Sequence, residues 1–520
     1  MRTRAFGLLG HLCCDRRGAV LIKFAVAFLP LLSISAVAMD FSRIVLIKQK
    51  LTNAVDAAAL AVGRQSELDD DDAASLAHAF INAHYTTADV GELTNLSVAS
   101  TATGVDITAT ARVPTVFLSI LSTPYVNITA SSRALRQQRN IELVMVLDNS
   151  GAMDSIKLAS LKTAAHSLVD TLFGSARVST NVKVGLVPFA AAVNVGTGNR
   201  SSTWLDQVGL SPITGEDIDL PAGYTLLTLL GSLTNSGWGG CVRARVGPNG
   251  YDLTDEPPNP LVGETLFAPY FAPDEPGPGN GPAPPEPGYD NDYLDDTAIP
   301  GDLVARQRNG MKYIGAGVLT PGYGPNFNCV TSPIVPLTNV KATISSAIDS
   351  MAAGGDTVIP EGLAWGWRVL SPGAPFTEGA SYVDQTTIKI LVLLAGGVNA
   401  VTTTNNLNSS EFSAYGYAAS GWLGAGDGSQ TRQTLDAKTA TLCTNIKGDK
   451  DRTASDHYIY VYTISSGVTD GATRTMLQNC ATPAADCPGN QCYFDSPSAS
   501  ALQGVFTSVA LELSQLRLAR

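Results

Sequence analysis

The sequence predicts an α/β protein: a doubly wound, mostly parallel sheet with a large irregular insertion, preceded by a transmembrane helix and a small α+β module. Three observations lead to this prediction. One apolar stretch near the N-terminus is long enough to cross a bilayer, residues 95–135 alternate between apolar and polar, and apolar strands alternate with helical patterns beyond residue 140. The chain has 520 residues, 44% of them hydrophobic, so it is long enough for two or three domains.

The N-terminal apolar stretch predicts a retained membrane anchor. Residues 19–39, AVLIKFAVAFLPLLSISAVAM, hold a single charge, Lys23, over the length that a bilayer core requires of a helix. Lys23 lies near the start of the stretch and can reach the interface. Asp40 follows the stretch, and the lead of residues 1–18 contains Arg2, Arg4, Arg16 and Arg17. The positive-inside rule therefore places the lead in the cytoplasm and the bulk of the chain outside.

Two alternatives to a retained anchor stay open. The AVA tripeptide at 36–38 resembles a signal-peptidase site, but the 18-residue lead is long for the charged n-region of a signal peptide, and the helical pattern continues beyond the tripeptide. That pattern comprises Ile44, Ile47, Leu51, Val55, Ala58 and Val62. The second alternative is a prepilin-like leader, in which Gly18 precedes the apolar run. Lys23 stands five residues later, where pilins place a glutamate, and so argues against it.

Residues 40–135 predict a helix that leaves the membrane and a small α+β module. The acidic stretch SELDDDD at 66–72 supplies a cap, Ser66 or an aspartate, for a helix at about 71–85; calcium binding by the aspartates is the alternative. Residues 95–135 alternate with a period of two, which is typical of antiparallel strands with one solvated face. The alternating sets are Leu96 and Val98; Val105, Ile107, Ala109, Ala111 and Val113; and Val126, Ile128 and Ala130.

Residues 139–520 predict the doubly wound domain. Continuous apolar runs mark strands, and residues of helical periodicity lie between them. The strands are expected at 141–147, 182–189, 388–395 and 457–464, and the helices at 154–173, 337–353, 430–446, 470–479 and 499–517. Regularity is lost in an insertion at about 190–335. Because 11 of the 29 prolines fall within 257–287, that stretch is neither a helix nor a central strand. We interpret it as a surface loop, with display or partner contact as the alternative.

The cysteines favour an oxidising compartment. Cys13 and Cys14 precede the apolar stretch, and six others follow it without a C-x-x-C pair: Cys241, Cys329, Cys443, Cys480, Cys487 and Cys492. We interpret these six as up to three disulfides; six buried thiols are the alternative. The sequence does not fix the pairing. Pairing of neighbours along the chain would give Cys241–Cys329, Cys443–Cys480 and Cys487–Cys492.

Charge and motif content argue against several classes of function. A net charge of −12 repels phosphate backbones, so we expect no nucleic-acid partner. The five histidines, at 11, 78, 84, 166 and 457, are not spaced as zinc ligands. A serine nucleophile would need a G-x-S-x-G turn and a histidine base, but Ser150 lies in D-N-S-G and we expect His166 to be buried in a helix. A G-x-x-x-x-G-K-[ST] phosphate loop does not occur. We therefore expect neither catalytic activity nor a small-molecule substrate.

The stretch IELVMVLDNSGAM at 141–153 marks the candidate site. Its apolar run ends at Asp148, at the carboxyl end of a predicted parallel strand, where open α/β sheets bind ligands. The stretch resembles the metal-ion-dependent adhesion site (MIDAS) of von Willebrand factor A domains, which have a Rossmann-like fold. The pattern of that family is D-x-S-x-S, a threonine from a second loop and an aspartate from a third. The resemblance implies Asp148, Ser150 and Thr357 as metal ligands, and it places Ala152 and Gly396 where two further ligands belong.

The resemblance therefore implies a degenerate MIDAS. With one carboxylate left in the ligand set, we expect only weak binding of Mg²⁺ or Mn²⁺, low occupancy, and no other cofactor. Asp154 and Asp356 lie nearby in the sequence and are alternative ligands. The competing interpretation is a site that has lost its ion, in which Asp148 caps the following turn and accepts backbone N–H groups.

A wider resemblance covers nearly the whole chain. The single anchor, the R-R-G lead and TNAVDAAALAVG at 52–63 resemble TadE/TadG-type proteins of tight-adherence (Flp) pilus systems. Further similar tracts point to a TadG-like member with a von Willebrand A domain: 203–206, 238–245, 267–276, 361–372 and 469–480. We expect Trp365, Trp367 and Arg368, within the fourth tract, to pack against the sheet rather than to form a recognition patch.

The resemblance to TadG-like proteins implies a location and a class of partner. It implies a single-pass protein of the bacterial inner membrane, with a cytoplasmic N-terminus and a periplasmic bulk. Such a protein would contact pilus assembly or secretin components by protein–protein contact, without catalysis. A cleaved, exported surface adhesin or hydrolase is the alternative.

Overall fold

The computed structural model describes most of the chain in two compact units, Met1–Gln138 with Leu518–Arg520, and Arg139–Arg517. The described residues are 18–63, 70–85, 91–101, 104–135, 139–277, 288–319, 322–384, 386–424, 428–448 and 459–518. Several features predicted from the sequence lie outside them: the lead before residue 18, Cys13, Cys14, Ser66, the side chain of Lys23 and residues 278–287 of the proline-rich stretch. The boundary between the two units lies between Gln138 and Arg139.

The first unit begins with one long helix, α1, Gly18–Gly63. Among the described residues, Val26–Gly63 is the stretch long and apolar enough to cross a membrane. Exposed large apolar side chains of its N-terminal half include Phe24, Ile34 and Leu46, whereas Ile47, Leu51, Val55 and Val62 are buried. One continuous helix therefore provides both the predicted apolar anchor and the predicted amphipathic segment.

The C-terminal half of α1 packs on a three-stranded antiparallel sheet of order β1-β2-β3. The sheet comprises β1 Glu92–Thr101, β2 Gly104–Pro114 and β3 Tyr125–Leu135. Helix α2, Asp70–His84, adds Ala73, Ala77 and Ile81 to the same core. Along β2, Val105, Ile107, Ala109, Ala111 and Val113 are buried and the residues between them are not, so the period-two pattern does mark one buried face.

The second unit contains an eight-stranded sheet of order β11-β10-β9-β4-β5-β6-β7, with β8 paired to β5. The strands from β11 to β5 run parallel, and β6, β7 and β8 are antiparallel to their partners. The bounds are β4 Asn140–Asp148, β5 Val182–Phe189, β6 Val193–Asn194, β7 Cys241–Val242, β8 Val335–Thr338, β9 Thr387–Ala395, β10 Tyr460–Ser466 and β11 Tyr493–Ser496. The sheet is thus parallel at its centre and antiparallel at one edge.

Helices cover both faces of this sheet, which explains why its central strands are apolar without alternation. Val144 and Val146 of β4 pack with one set of helices, and Leu143, Met145 and Leu147 pack with the other. The helices are α3 Ser155–Phe173, α4 Leu226–Leu230, α5 Leu303–Arg308, α6 Lys341–Ser350, α7 Ile359–Leu370, α8 Gly428–Gly448, α9 Gly471–Cys480 and α10 Ala499–Leu518.

One helix start and one strand differ most from the sequence prediction. The helix predicted at 337–353 begins only at Lys341, because Val335–Thr338 pairs with β5 as a short strand. Strand β11, Tyr493–Ser496, extends the parallel sheet beyond β10. It was not predicted, because four residues carry too little periodicity to be recognised.

Four of the tracts that resemble pilus proteins meet around Phe267. The rings of Trp204 and Trp365 lie 6.0 and 4.6 Å from the ring of Phe267. The guanidinium groups of Arg245 and Arg368 lie 4.7 and 5.2 Å from the same ring. Trp365 and Arg368 are almost fully buried, and Trp367 is also buried. Trp365, Trp367 and Arg368 are core residues, as predicted, and they fix the insertion against α7. The interpretation of 257–287 as a surface loop was wrong for residues 265–277, which are buried because Phe267 and its neighbours pack into this core.

The six cysteines that follow the anchor form three disulfides: Cys241–Cys329, Cys443–Cys480 and Cys487–Cys492. This is the pairing of neighbours along the chain. The first closes part of the insertion, the second joins α8 to α9, and the third closes a short loop before β11.

Candidate functional site

The candidate site lies at the carboxyl ends of two adjacent parallel strands. Asp148 is the last residue of β4, and Gly396 directly follows β9. Because β4 pairs with β9, the two positions are brought side by side. Thr357 lies two residues before the start of α7 and contributes a second loop. The structure therefore brings together all five positions of the predicted MIDAS pattern.

Backbone hydrogen bonds join the three loops of the site. Gly354 N–H donates to the Asn149 carbonyl at 2.9 Å, and Gly151 N–H donates to the Gly355 carbonyl at 2.8 Å. Thr357 and Ala400 exchange backbone hydrogen bonds of 3.2 and 2.9 Å, which ties the second loop to the third. Backbone hydrogen bonds thus link the first loop to the second and the second to the third.

The three oxygen-bearing side chains are buried and hydrogen-bonded within the protein. Ser150 N–H donates to Asp148 Oδ1 at 2.9 Å, and Gly396 N–H donates to Asp148 Oδ2 at 2.8 Å. Thr357 Oγ1 donates to Ser150 Oγ at 2.7 Å. Burial raises the pKa of Asp148, while the hydrogen bonds from Ser150 and Gly396 and the charge of Lys157 act in the opposite direction. Asp148 therefore accepts one backbone N–H from its own loop and one from the loop after β9.

The two positions without an oxygen ligand are occupied by other contacts. A Cβ atom added at Gly396 would lie 2.2 Å from Met153 Sδ, so the methionine fills the space that an aspartate would need. A Cβ atom at Gly397 would lie 2.6 Å from the Cβ of Ala152. At both positions that lack an oxygen ligand, 152 and 396, neighbouring atoms therefore fill the space that a ligand side chain would occupy.

The ammonium group of Lys157 lies at the candidate site. Its Nζ donates to the carbonyl oxygens of Ala152 and Gly396, both at 3.2 Å. These are the two residues at which side-chain ligands are missing. The lysine stem also lies against Gly467 at the end of β10, where an added Cβ would be 3.2 Å from Lys157 Cε. The ammonium thus bridges the first and third loops.

The alternative carboxylate ligands point elsewhere. Asp154 caps α3 by accepting the backbone N–H groups of Ile156 and Lys157, both at 2.9 Å. Asp356 accepts the backbone N–H of Thr402 at 2.8 Å and its hydroxyl at 2.7 Å. Neither carboxylate is free to replace the missing ligands.

The residues present do not fit a tightly bound divalent ion. Mg²⁺ requires a near-octahedral set of oxygens, and charge neutralisation by carboxylates lowers the cost of removing its waters. Here one buried carboxylate and two hydroxyls remain, each already hydrogen-bonded, and an ammonium group lies beside them. Within the described part of the chain, His, Cys, Asp and Glu side chains do not gather in threes as metal ligands.

Sequence reasoning missed Lys157, Met153 and Asn399. Asn399 Oδ1 accepts the N–H of Ile359 at 2.9 Å, and its amide donates to Asp436 of α8, so it fixes the third loop against two helices. The sequence offered one indication of these contacts, which is that Lys157 lies in the first turn of α3, close to Asp148 along the chain.

The prediction that His166 is buried was wrong: it is half-buried, and its Nε2 lies 2.8 Å from Asp349 Oδ1.

Comparison with known protein families identifies the N-terminal segment. Residues 18–65 match the family model described as "Tad: Putative Flp pilus-assembly TadE/G-like". This match confirms the TadE/G-type character of the segment that forms α1. No curated protein sequence shows significant similarity to the chain.

Several solved structures are similar to the chain at low sequence identity. The pilus adhesin SpaC from Lactobacillus rhamnosus GG in its open conformation is 12% identical, with a TM-score of 0.31; the similarity covers 81% of this chain and 33% of that one. The von Willebrand factor domain of the type V pili tip protein Mfa5 from Porphyromonas gingivalis is 9% identical, covering 74% and 97%, with a TM-score of 0.33. A PilB minor pilin from Streptococcus sanguinis, a point mutant, is 12% identical, covering 84% and 81%, with a TM-score of 0.32. The chain thus spans about a third of the length of the SpaC adhesin.

Proposed function

We propose that the protein is a membrane-anchored assembly or adhesion factor of a tight-adherence (Flp) pilus system that acts by protein–protein contact. The observation that carries this proposal is the family match at residues 18–65, which coincides with the long apolar helix α1. In this proposal the second unit is a von Willebrand A-type domain that contacts pilus assembly or secretin components. We propose no catalytic activity, no small-molecule substrate and no nucleic-acid partner.

The proposed location is the inner membrane, with the N-terminus in the cytoplasm and the bulk in the periplasm. The continuity of α1 through residues 36–38 supports a retained anchor, since the stretch that resembles a cleavage site lies inside a helix that continues into the module core. The three disulfides support an oxidising compartment outside the cytoplasm.

Cell fractionation tests this proposal. The full-length protein is followed beside a shortened chain that starts at residue 39, in the bacterium that encodes it. We expect full-length mass in the inner-membrane fraction, and we expect release of the shortened chain from that fraction. A shorter native species in the medium or on the outer surface would instead support the exported adhesin or hydrolase.

A deletion strain separates a pilus role from anchoring alone. We expect loss of surface pili and their recovery with the full-length gene. Normal piliation in the deletion strain would contradict the proposed role even if the protein is membrane-bound. Neighbouring genes for a secretion ATPase and a prepilin peptidase would give independent support.

We further propose that any divalent-ion binding at the candidate site is weak. Calorimetric titration of the protein with Mn²⁺ is expected to give no affinity in the micromolar range, because one carboxylate remains and Lys157 lies beside it. Micromolar affinity that disappears in Asp148→Ala would contradict this proposal. The Ala152→Ser/Gly396→Asp double variant tests the lost ligands, and Met153→Ala must accompany it to give the new carboxylate space.

A further inference from the structure

The loop between β2 and β3 exposes apolar side chains at one end of the small module. We refer to residues 115–124, TVFLSILSTP, as the β2–β3 loop. Val116, Phe117 and Ile120 are 52%, 37% and 79% exposed. They are neighbours within one short turn that contains a 3₁₀ helix, Leu118–Leu121. Exposed apolar clusters of this kind mark contact with a partner or a membrane.

Asp40 of α1 binds this loop. Its Oδ2 accepts the backbone N–H groups of Phe117 and Leu118 at 2.8 and 2.7 Å, and its Oδ1 accepts that of Val116 at 3.1 Å. Asp40 is only 3% exposed. Three backbone N–H donors replace the water that the buried carboxylate of Asp40 has lost, so its negative charge is stabilised within the protein. The loop is therefore fixed to α1 at one defined level.

Other polar groups of the loop are also satisfied from within. Thr115 N–H donates to the Pro124 carbonyl at 3.1 Å, and Thr123 N–H donates to the Leu118 carbonyl at 3.0 Å. The hydroxyls of Thr115 and Ser119 donate to the carbonyls of Thr123 and Val116 at 2.5 and 2.6 Å. A segment that enters lipid must pair its backbone polar groups internally and direct apolar side chains outward. The β2–β3 loop has both properties.

The level of the loop on α1 coincides with the boundary of the proposed membrane span. Asp40 directly follows the predicted span at 19–39 and precedes Ile47, the first fully buried apolar residue of the module core, by about 10 Å of helix. Exposed apolar residues continue on α1 past this level as Phe41, Val45 and Leu46. The predicted span at 19–39 is about 32 Å long as a helix, close to the ~30 Å of a hydrocarbon core. The loop that Asp40 holds therefore lies at the C-terminal end of the predicted span.

The edge of the loop has a composition typical of a membrane interface. Tyr125, the first residue of β3, is half exposed, and the guanidinium of Arg112 lies 5.1 Å from the centre of its ring. An aromatic ring and an arginine side by side suit the headgroup region, where one part of each side chain is apolar and the other polar. They lie immediately beside the exposed apolar tip.

We propose that the β2–β3 loop inserts its apolar tip into the leaflet that α1 leaves, so that the small module rests on the bilayer. This inference rests on the proposed membrane anchoring of α1. The lipid acyl chains are the occupant that the apolar tip fits, with Tyr125 and Arg112 at headgroup level. Asp40 sets the height of the module above the membrane by holding the loop to the helix.

Depth measurements with nitroxide labels test this proposal. The full-length protein, with Cys13→Ser and Cys14→Ser so that the introduced thiol is the one available for labelling, is placed in phospholipid nanodiscs. Labels are attached at Ile120→Cys, at Ile34→Cys on α1 and at Asp106→Cys. Asp106 is half exposed at the other end of β2 and is the matched control. The readout is the ratio of oxygen to nickel-chelate accessibility.

We expect the ratio at 120 to be several-fold higher than at 106 and to approach that at 34. If 120 behaves like 106 while 34 is lipid-exposed, the loop proposal is wrong and the anchor remains. If 34 is itself water-exposed, the proposed anchoring fails and the loop proposal fails with it. A label at Phe117→Cys repeats the measurement if the 120 variant does not fold.

Discussion

At the scale of single residues, the candidate site is a buried carboxylate whose partners all belong to the chain. Asp148 accepts two backbone N–H groups, and Lys157 lies close enough for its charge to favour the ionised carboxylate. In a metal site, the cation would come from solution and would bridge the loops. Here the Lys157 ammonium bridges the carbonyls of Ala152 and Gly396. A cation that belongs to the chain therefore joins the first and third loops.

Replacement of Lys157 by methionine should destabilise the protein. Lys157→Met keeps the length of the side chain but removes two charge-assisted hydrogen bonds and the positive charge beside Asp148. We expect a loss of about 1–3 kcal/mol in the free energy of unfolding, measured by chemical denaturation. Lys162→Met is the control, because Lys162 lies one turn later on α3 and makes a single exposed bond to the Asp349 carbonyl at 2.8 Å. Equal losses in the two variants would contradict a special role for Lys157.

Glu361 should make stability depend on pH. Burial raises the pKa of Glu361 to about 7, against the lowering effect of Arg368 and of the Trp365 hydrogen bond. The folded state therefore binds a proton more tightly than the unfolded state, whose glutamate pKa is about 4.3. The contribution of this group to stability is fully present below that value and is lost as pH rises to about 7.

The Glu361→Gln variant isolates this effect. Its stability relative to the parent protein should rise between about pH 4.5 and 7 and then level off, because glutamine does not titrate. Thermal unfolding at four pH values from 5 to 8 measures it. Other buried carboxyls, such as Asp274, are present in both proteins and cancel in the comparison. Parallel pH profiles would show that Glu361 is not the titrating group.

At the scale of elements, α7 packs unusually close to the sheet because it carries two glycines one turn apart. A Cβ atom at Gly362 would lie 2.4 Å from the Phe189 ring, and one at Gly366 would lie 2.3 Å from Val146 Cγ2. These distances leave no room for a side chain. The close approach buries Trp365 between the sheet and the insertion, and it places the N-terminus of α7, next to Thr357, at the site.

Gly366→Ala should therefore destabilise the protein although alanine favours helices. The added methyl collides with Val146, and overpacking of this kind costs about 1–3 kcal/mol. Gly504→Ala is the matched control: Gly504 is exposed in α10, and nothing lies within 4 Å of its Cβ position. For Gly504→Ala we expect the free energy of unfolding to increase by up to about 1 kcal/mol, because alanine has the higher helix propensity. Gains in both variants, measured by thermal unfolding, would mean that α7 is not tightly packed.

At the scale of the whole molecule, three disulfides close loops of very different length in the second unit. The sequence separations are 88 residues for Cys241–Cys329, 37 for Cys443–Cys480 and 5 for Cys487–Cys492. A longer closed loop removes more conformational freedom from the unfolded chain. The first disulfide should therefore contribute most and the third least.

Paired substitutions test this order. Cys241→Ala/Cys329→Ala should cost roughly 2–3 kcal/mol more in the free energy of unfolding than Cys487→Ala/Cys492→Ala. Chemical denaturation of both variants and of the parent under oxidising conditions measures the difference. The reverse order would show that local packing, and not loop closure, determines what each disulfide contributes.

The sequence by itself determined the elements with a local periodic signal. These are the long apolar helix, the alternating strands around Val105–Val113, the continuous strands that end at Asp148 and Ala395, and the α3 and α8 helices. The carboxyl end of a predicted parallel strand pointed to Asp148 as a site residue, and the resemblance to von Willebrand A domains added Ser150 and Thr357. These periodic patterns involve residues only a few positions apart, so they can be recognised without knowledge of the fold.

Only the tertiary structure decided what surrounds that site and how the tracts meet. The place of Met153 beside Gly396, the Lys157 bridge and the four tracts around Phe267 depend on contacts between residues distant in sequence. Short strands such as β8 and β11 also depend on the neighbour that they pair with. The loop bound by Asp40 is a further example, since its exposed apolar tip is defined by a carboxylate on a different element. Packing selects these contacts from the many that local patterns permit, so the sequence predicted the scaffold and the fold determined the chemistry at its edge.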